Sequence, residues 1–325
     1  MAIGPVPPIY NPEESRDLGF GSVVSTESHV RLLNRDGSFN VKRKGLGFLE
    51  SINFYHAMLT MAWWKFLAMV TLGYFGANAI FALIYVWCGR GALQPPASPG
   101  TAPAGTAATS FVDAFFFSVQ TLSTIGYGNL VPVGLLANTV VTLESLLGLL
   151  GFALATGIMF ARFSRPTASI LYSRNAVVAP YKGITAFEFR VINARSNQII
   201  ELGAKVIFTR FEKVNGSNLR RYYTLPLERS KVAFFPLTWT IVHPIDEESP
   251  LRGLSPEELV ATSSEFLILL TGIDETFSQT VHSRSSYKAE EVVWNAKFIN
   301  MFSKSDGGEL LSVNLQKFHG IEKVS

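Results

Sequence analysis

The sequence predicts a membrane α-helical domain of two spans followed by an all-β sandwich, and three observations carry that prediction. Residues 66–87 hold no charge across 22 positions and residues 133–161 hold only Glu144, so each can cross a hydrocarbon core about 30 Å thick. No other segment comes close. From about Pro180 the texture changes to short alternating runs such as Phe187-Glu188-Phe189-Arg190-Val191 and Ala204-Lys205-Val206-Ile207-Phe208, with turns such as Asn215-Gly216-Ser217-Asn218 between them. The 325 residues are 48% hydrophobic with a positive mean hydropathy, enough chain for two domains and too apolar for an ordinary soluble protein.

In chain order, residues 1–47 carry Pro, Gly and charge without helical periodicity and read as an extended arm. Their polar start, 1–40, has no apolar core and is not expected to be a cleavable signal peptide. Within 48–64, Phe48, Leu49, Ile52, Tyr55, Leu59 and Trp63 recur at roughly helical spacing, and the aromatics suit a helix lying in the membrane interface. The alternative is that this stretch extends the first span. Residues 89–110 are Pro/Ala/Gly-rich and predict a turret without regular structure. Residues 111–123, FVDAFFFSVQTLS, are too short to span and suit a re-entrant helix packed inside protein. A short helix is expected where Ser255 precedes Pro256-Glu257-Glu258-Leu259. The expected parts are thus an amino-terminal arm (1–47), an interfacial helix with the membrane domain (48–166), a β-sandwich (167–310) and a carboxy-terminal tail (311–325).

Flanking charge gives orientation. Lys42, Arg43, Lys44 and Lys65 precede the first span and Arg162, Arg165 and Arg174 follow the second, while 88–132 holds only Arg90 as a basic residue. Both termini are therefore expected on the cytoplasmic side, of an inner membrane if the source is bacterial. The lone Cys88 agrees, since a single thiol forms no intrachain disulfide. A net charge of +3 without a basic run interleaved with aromatics gives no basis for nucleic-acid binding. The five histidines, His29, His56, His243, His282 and His319, show no metal spacing, and with no nucleophile motif there is no support for an enzyme or a bound cofactor.

The re-entrant helix ends on Thr124-Ile125-Gly126-Tyr127-Gly128. Irregular backbone at membrane depth is tolerated only where protein shields it or where it lines a water-filled path. Dehydrating a potassium ion requires a ring of carbonyl oxygens in place of its water, so consecutive carbonyls must face one axis. Gly126 and Gly128 can take the φ > 0 conformations this demands, and the Thr124 hydroxyl can add one more oxygen. The permeant ligand is then potassium, held by Thr124, Ile125, Gly126 and Tyr127. With one such segment and no internal repeat, a fourfold pore needs four copies of the chain.

Other strings extend this reading. His243-Pro244-Ile245-Asp246-Glu247-Glu248-Ser249-Pro250-Leu251, Ala194-Arg195 with Ile199-Ile200-Glu201, Gly272-Ile273-Asp274-Glu275-Thr276, Ser283-Arg284-Ser285-Ser286-Tyr287, Trp294 with Phe298, and Asn34-Arg35-Asp36-Gly37-Ser38-Phe39-Asn40-Val41 are present. Together they resemble the inward-rectifier potassium channel family, its prokaryotic (KirBac-type) members in particular, over roughly residues 31–305. The resemblance implies a homotetramer with an interfacial slide helix, outer helix, pore helix, inner helix and an immunoglobulin-like cytoplasmic domain that extends the pore. It places the bundle-crossing aromatic at Phe160, where four rings would gate by dewetting. Gly148, Gly151 and Gly157 on the same helix permit bending or close packing, and Gly148 is the preferred hinge.

The chain departs from the family in three places. Where relatives carry a Glu behind the filter it has Gln120, beside Thr121, and Asn129-Leu130 replaces the partner Arg of eukaryotic members. Losing both charges avoids leaving one uncompensated, and Gln120 is expected to hydrogen-bond filter backbone. At the position of the Asp of strong rectifiers it has Phe152, so polyamine or magnesium block is expected to be weak. Glu144 either supplies a substitute charge to the cavity or hydrogen-bonds the pore helix of its own subunit; a carboxylate at membrane depth marks a functional site. Of the acidic rings in the cytoplasmic pore, only Glu201 is identified, next to the mixed-sign Glu228-Arg229-Ser230-Lys231. Lys42, Arg43, Lys44, Arg162, Arg165 and Lys182 form the candidate patch for anionic lipids such as phosphoinositides, each basic residue contributing about 1 kcal/mol near such a surface. For Arg162 and Arg165 the alternative is topological anchoring alone. The rival function is a membrane-anchored ligand-sensing module whose pore is non-conducting or non-selective.

Overall fold

The computed structural model describes residues 30–40, 54–96, 110–164, 168–195, 197–214, 216–235, 237–304 and 311–324. The chain divides into two units, Gly45–Arg165 and Met1–Lys44 with Pro166–Ser325.

In the first unit, α1 (Phe54–Thr60) is followed by α2 (Trp63–Trp87), α3 (Phe111–Leu122) and α4 (Gly134–Phe163). α2 and α4 are long and apolar enough to cross a membrane. The chain breaks at Met61 and Ala62, so α1 is separate from the first span rather than its extension. Of the rest of the expected 48–64 interfacial helix, 48–53 lies outside the described residues, while Trp63 and Trp64 begin α2 instead. Among the described residues of the expected turret there is regular structure, in that β1 (Leu93–Gln94) pairs antiparallel with β2 (Val131–Pro132). Leu93 is buried there, which anchors the turret to the span ends. Ala82, Tyr85, Leu93, Ala114 and Phe117 form the core that clasps α3.

In the second unit two five-stranded sheets pack face to face. The first holds β3 (Ile170–Tyr172), β4 (Ala176–Tyr181), β5 (Ile184–Asn193), β9 (Thr238–Ile245) and β12 (Val292–Trp294); the second holds β6 (Ile199–Val214), β7 (Ser217–Thr224), β8 (Lys231–Phe235), β10 (Glu265–Asp274) and β11 (Gln279–Lys288). Both expected strand runs fall within them, as parts of β5 and β6. Alternate residues of facing strands fill the gap, and Phe187 of β5 stacks on Phe266 of β10 at 4.2 Å between centroids. The expected short helix is α5 (Pro256–Ala261), closed by a capping box of Ser255 and Glu258.

Two segments expected to stand apart pack onto this unit. Residues 30–40 form a strap with a Leu33–Phe39 bridge, in which the Glu265 carboxylate accepts from the backbone N–H of Leu32 (3.0 Å) and Leu33 (3.2 Å). The expected tail contains β15 (Leu311–Val313), paired with β14 (Phe302–Lys304), and β16 (Ile321–Lys323), paired with β13 (Ala296–Phe298). Phe318 is 2% exposed, and burying that ring draws the segment in.

Candidate functional site

The site is built from the end of α3. Ser110 caps its start, accepting from Asp113 N at 3.1 Å, and Asp113 stabilises the positive end of the helix. Its other end closes as a Schellman motif: Ile125 N donates to the Gln120 carbonyl (2.8 Å) and Thr124 N to the Thr121 carbonyl (3.0 Å). That motif needs a left-handed residue at its turn, a place usually held by Gly. Here it is Thr124, with φ 56°. A β-branched residue in that region is strained, and such strain persists only where the surroundings over-determine it.

The left-handed residue recurs at alternate positions. Gly126 has φ 56° and Gly128 φ 78°, while neither Ile125 nor Tyr127 has positive φ. In a regular strand successive carbonyls point to opposite sides, whereas alternating hand can turn them to one side. All five residues, 124–128, are exposed in the single chain, with Tyr127 71% accessible. Gln120 does bond the segment, through its main-chain carbonyl rather than the expected side chain, accepting also from Gly126 N at 3.2 Å.

Behind α3 lies a buried polar cluster. Glu144 on α4 is completely buried and hydrogen-bonds Ser118 of α3 and the Tyr85 hydroxyl of α2, the latter at 2.5 Å. Of the two expectations for this carboxyl, the pore-helix contact holds and the cavity-facing one does not. Ser118 also meets Asn78 at 3.0 Å, and the Tyr74 hydroxyl lies 2.6 Å from that of Ser123. Tyr74, Asn78, Tyr85, Ser118 and Ser123 escaped the sequence reading, although polar residues inside an otherwise apolar span are a signal in themselves.

Along α4, Gly148 is buried and packs against the Leu122 carbonyl at the end of α3, so it serves close packing; a Cβ at Gly157 would meet nothing within 4 Å. Phe152 and Phe160 are 76% and 72% exposed, left unpacked by their own chain.

Arg162 is placed differently from the lipid patch expected of it. Its guanidinium donates to the carbonyls of Met58 and Met61 (2.7 Å for the latter) and lies 4.6 Å from the ring centroids of both Trp63 and Phe66. The carbonyls at the α1–α2 break are unsatisfied by helix geometry, and a planar multi-donor cation suits them. Lys42, Arg43, Lys44 and Arg165 lie outside the described residues. Lys182, in the other unit, pairs with Glu228, which pushes its ammonium up to about 12. Glu201, at φ 53° in an irregular part of β6, pairs with Lys231 at 3.0 Å, so its charge is locally offset.

The arrangement agrees with comparisons to known proteins. Inward rectifier potassium channel Kirbac3.1 of Paramagnetospirillum magnetotacticum is 43% identical over 295 residues, covering 90% of this chain and 95% of its own. ATP-sensitive inward rectifier potassium channel 8 of Homo sapiens is 26% identical over 322 residues, covering 91% and 74%. Residues 33–166 match the family model of the inward rectifier potassium channel transmembrane domain and residues 170–325 that of the C-terminal domain. With two spans, a re-entrant helix between them and a β-sandwich following in the sequence, the chain belongs to the inward rectifier potassium channel family.

Proposed function

We propose that four copies of this chain surround one potassium-selective pore in a bacterial inner membrane, with both termini cytoplasmic. The carbonyls of Thr124, Ile125, Gly126 and Tyr127, with the Thr124 hydroxyl, replace the hydration shell of potassium. The observation that carries this reading is the left-handed backbone at 124, 126 and 128, strained at Thr124, directly after a helix too short to span. Exposed Ile125 and Tyr127 fit side chains that neighbouring copies cover, and exposed Phe152 and Phe160 fit side chains that face the pore.

Phe160 is the gate, where four rings close an apolar constriction. Rectification is weak, because the cavity presents Phe152 where a carboxylate would draw in polyamine or magnesium. The Glu201–Lys231 pair leaves the cytoplasmic vestibule little extra attraction for cations. Anionic lipid headgroups bind through Lys42, Arg43, Lys44 and Arg165, on the strength of their charge beside the spans. Gly126→Ala tests the filter, since a Cβ strains that φ. Lost rubidium uptake with an intact assembly on size exclusion is expected; unchanged uptake would contradict it.

A further inference from the structure

Three buried or half-buried groups of α2 line up against α3. Asn78 is fully buried, and its Nδ2 donates to the Tyr74 backbone carbonyl, one turn earlier, at 2.8 Å. Its Oδ1 faces the Ser118 hydroxyl at 3.0 Å, and Ser118 also meets a Glu144 oxygen. Tyr85 donates to the other Glu144 oxygen. From the same stretch of α2, Tyr74 reaches Ser123, the residue before Thr124.

Counting hydrogens orders this chain. A backbone carbonyl only accepts, so the Asn78 atom facing Tyr74 must be nitrogen and its oxygen must face Ser118. Ser118 has one hydroxyl hydrogen, and Asn78 Oδ1 can only accept it. The hydrogen between Ser118 and Glu144 must then come from Glu144, while the Tyr85 hydrogen serves its second oxygen. Each group is satisfied and no bare charge is buried, whereas an unpaired carboxylate at this depth would be expensive.

We propose that Tyr74, Asn78, Tyr85, Ser118, Ser123 and Glu144 form a brace that positions the pore helix and the first filter residue and so sets ion discrimination, with Glu144 acting as a neutral hydrogen donor. The proposal rests on reading residues 124–128 as the filter. A carbonyl cage discriminates through the number and placement of its dipoles, and Thr124 holds a strained conformation that its surroundings must enforce. Gln120 and Asn129 provide no ion pair behind the filter, so other bonds must hold the helix end. The Tyr74–Ser123 bond acts one residue from the cage.

The test is the ratio of rubidium uptake driven by internal potassium to that driven by internal sodium, in liposomes holding the full-length assembly, with thermal melting as the folding control. Y74F and S123A are each expected to lower the ratio several-fold at unchanged melting temperature, with the double variant no lower than the worse single one. If Y74F does not assemble, S123A removes the same bond and decides alone. Unchanged ratios, or strictly multiplicative losses in the double variant, would overturn the brace. E144Q presents an N–H to Ser118 and a carbonyl to Tyr85, and is expected to retain most of the discrimination that E144L loses. An E144Q loss as large as that of E144L would overturn the donor assignment. A wild-type protein without discrimination would overturn the filter reading itself, while a selective wild type with indifferent Y74F and S123A would sink the brace alone.

Discussion

Gly148 lies so close to the carbonyl of Leu122 that a Cβ in its place would collide with the oxygen, the carbon and the Cα of that residue. The obstacle is backbone at the end of α3, which cannot swing aside as a long side chain would. G148A is therefore expected to push the pore-helix end away, with an overpacking penalty of about 1–3 kcal/mol. Uptake should fall sharply, while G157A, in open space, should stay near wild type. Equal effects of the two substitutions would speak for hinge bending instead.

Arg162 ties the carboxy-terminal end of α4 to the α1–α2 break through two carbonyls and two aromatic faces. Each cation–π contact contributes about 0.5–2 kcal/mol. R162A should change the fraction of active channels at fixed lipid composition and leave ion discrimination alone, with R162K only partly restoring it because an ammonium lacks the planar fork. Should R162A act only by abolishing the response to anionic lipid, headgroup binding would be its role.

Phe152→Asp would place a carboxylate where the chain now presents an exposed apolar ring. Spermine block in patch recordings should tighten by about tenfold or more and gain voltage dependence, since in the proposed assembly four carboxylates would face one cavity. Tight block of the wild-type channel would refute the assignment of Phe152.

Glu291 holds both arginines of the strap: Arg31 at 3.1 Å and 3.3 Å, and Arg35 at 3.2 Å. These groups are partly buried, and hydrogen bonds to charged groups contribute up to about 1.5–3 kcal/mol, less where water reaches them. E291Q should release the strap, read as faster proteolysis within the first forty residues. Unchanged cleavage would show that the bonds to Glu265, Ser173, Ser285 and Ser286 retain it without Glu291.

His243 is buried, its Nδ1 2.5 Å from the Pro226 carbonyl and its Nε2 2.7 Å from the Ser249 hydroxyl. Burial pulls its titration below the ordinary 6.5, so the folded state binds the proton less readily than the unfolded state. Its contribution is complete above the ordinary value and is lost as the pH falls below it. Melting temperature should drop from about pH 7 to about pH 5.5, and less steeply in H243N. An identical slope in H243N would remove His243 from the cause.

Legibility followed the kind of signal involved. Apolar runs disclosed α2, α3 and α4 to within three residues at each end, because a span or a buried re-entrant helix is written in consecutive positions. The glycines at 126 and 128 disclosed their own φ, since Gly is the usual residue there. Thr124 did not, because its left-handed state is imposed by the Schellman closure on Gln120 and Thr121. Tyr85 and Glu144 are 59 residues apart, and Tyr74 and Ser123 are 49 apart. No periodicity links such pairs, and the same holds for the arginines of the strap and for Arg162. A polar side chain in an apolar run signals that a partner exists without naming it.

Rubidium uptake into proteoliposomes tests most directly whether the pore selects potassium. Uptake driven by internal potassium, abolished when sodium replaces that potassium and lost in Gly126→Ala, is the predicted result. Equal uptake from either internal cation, or uptake that survives Gly126→Ala, would contradict it.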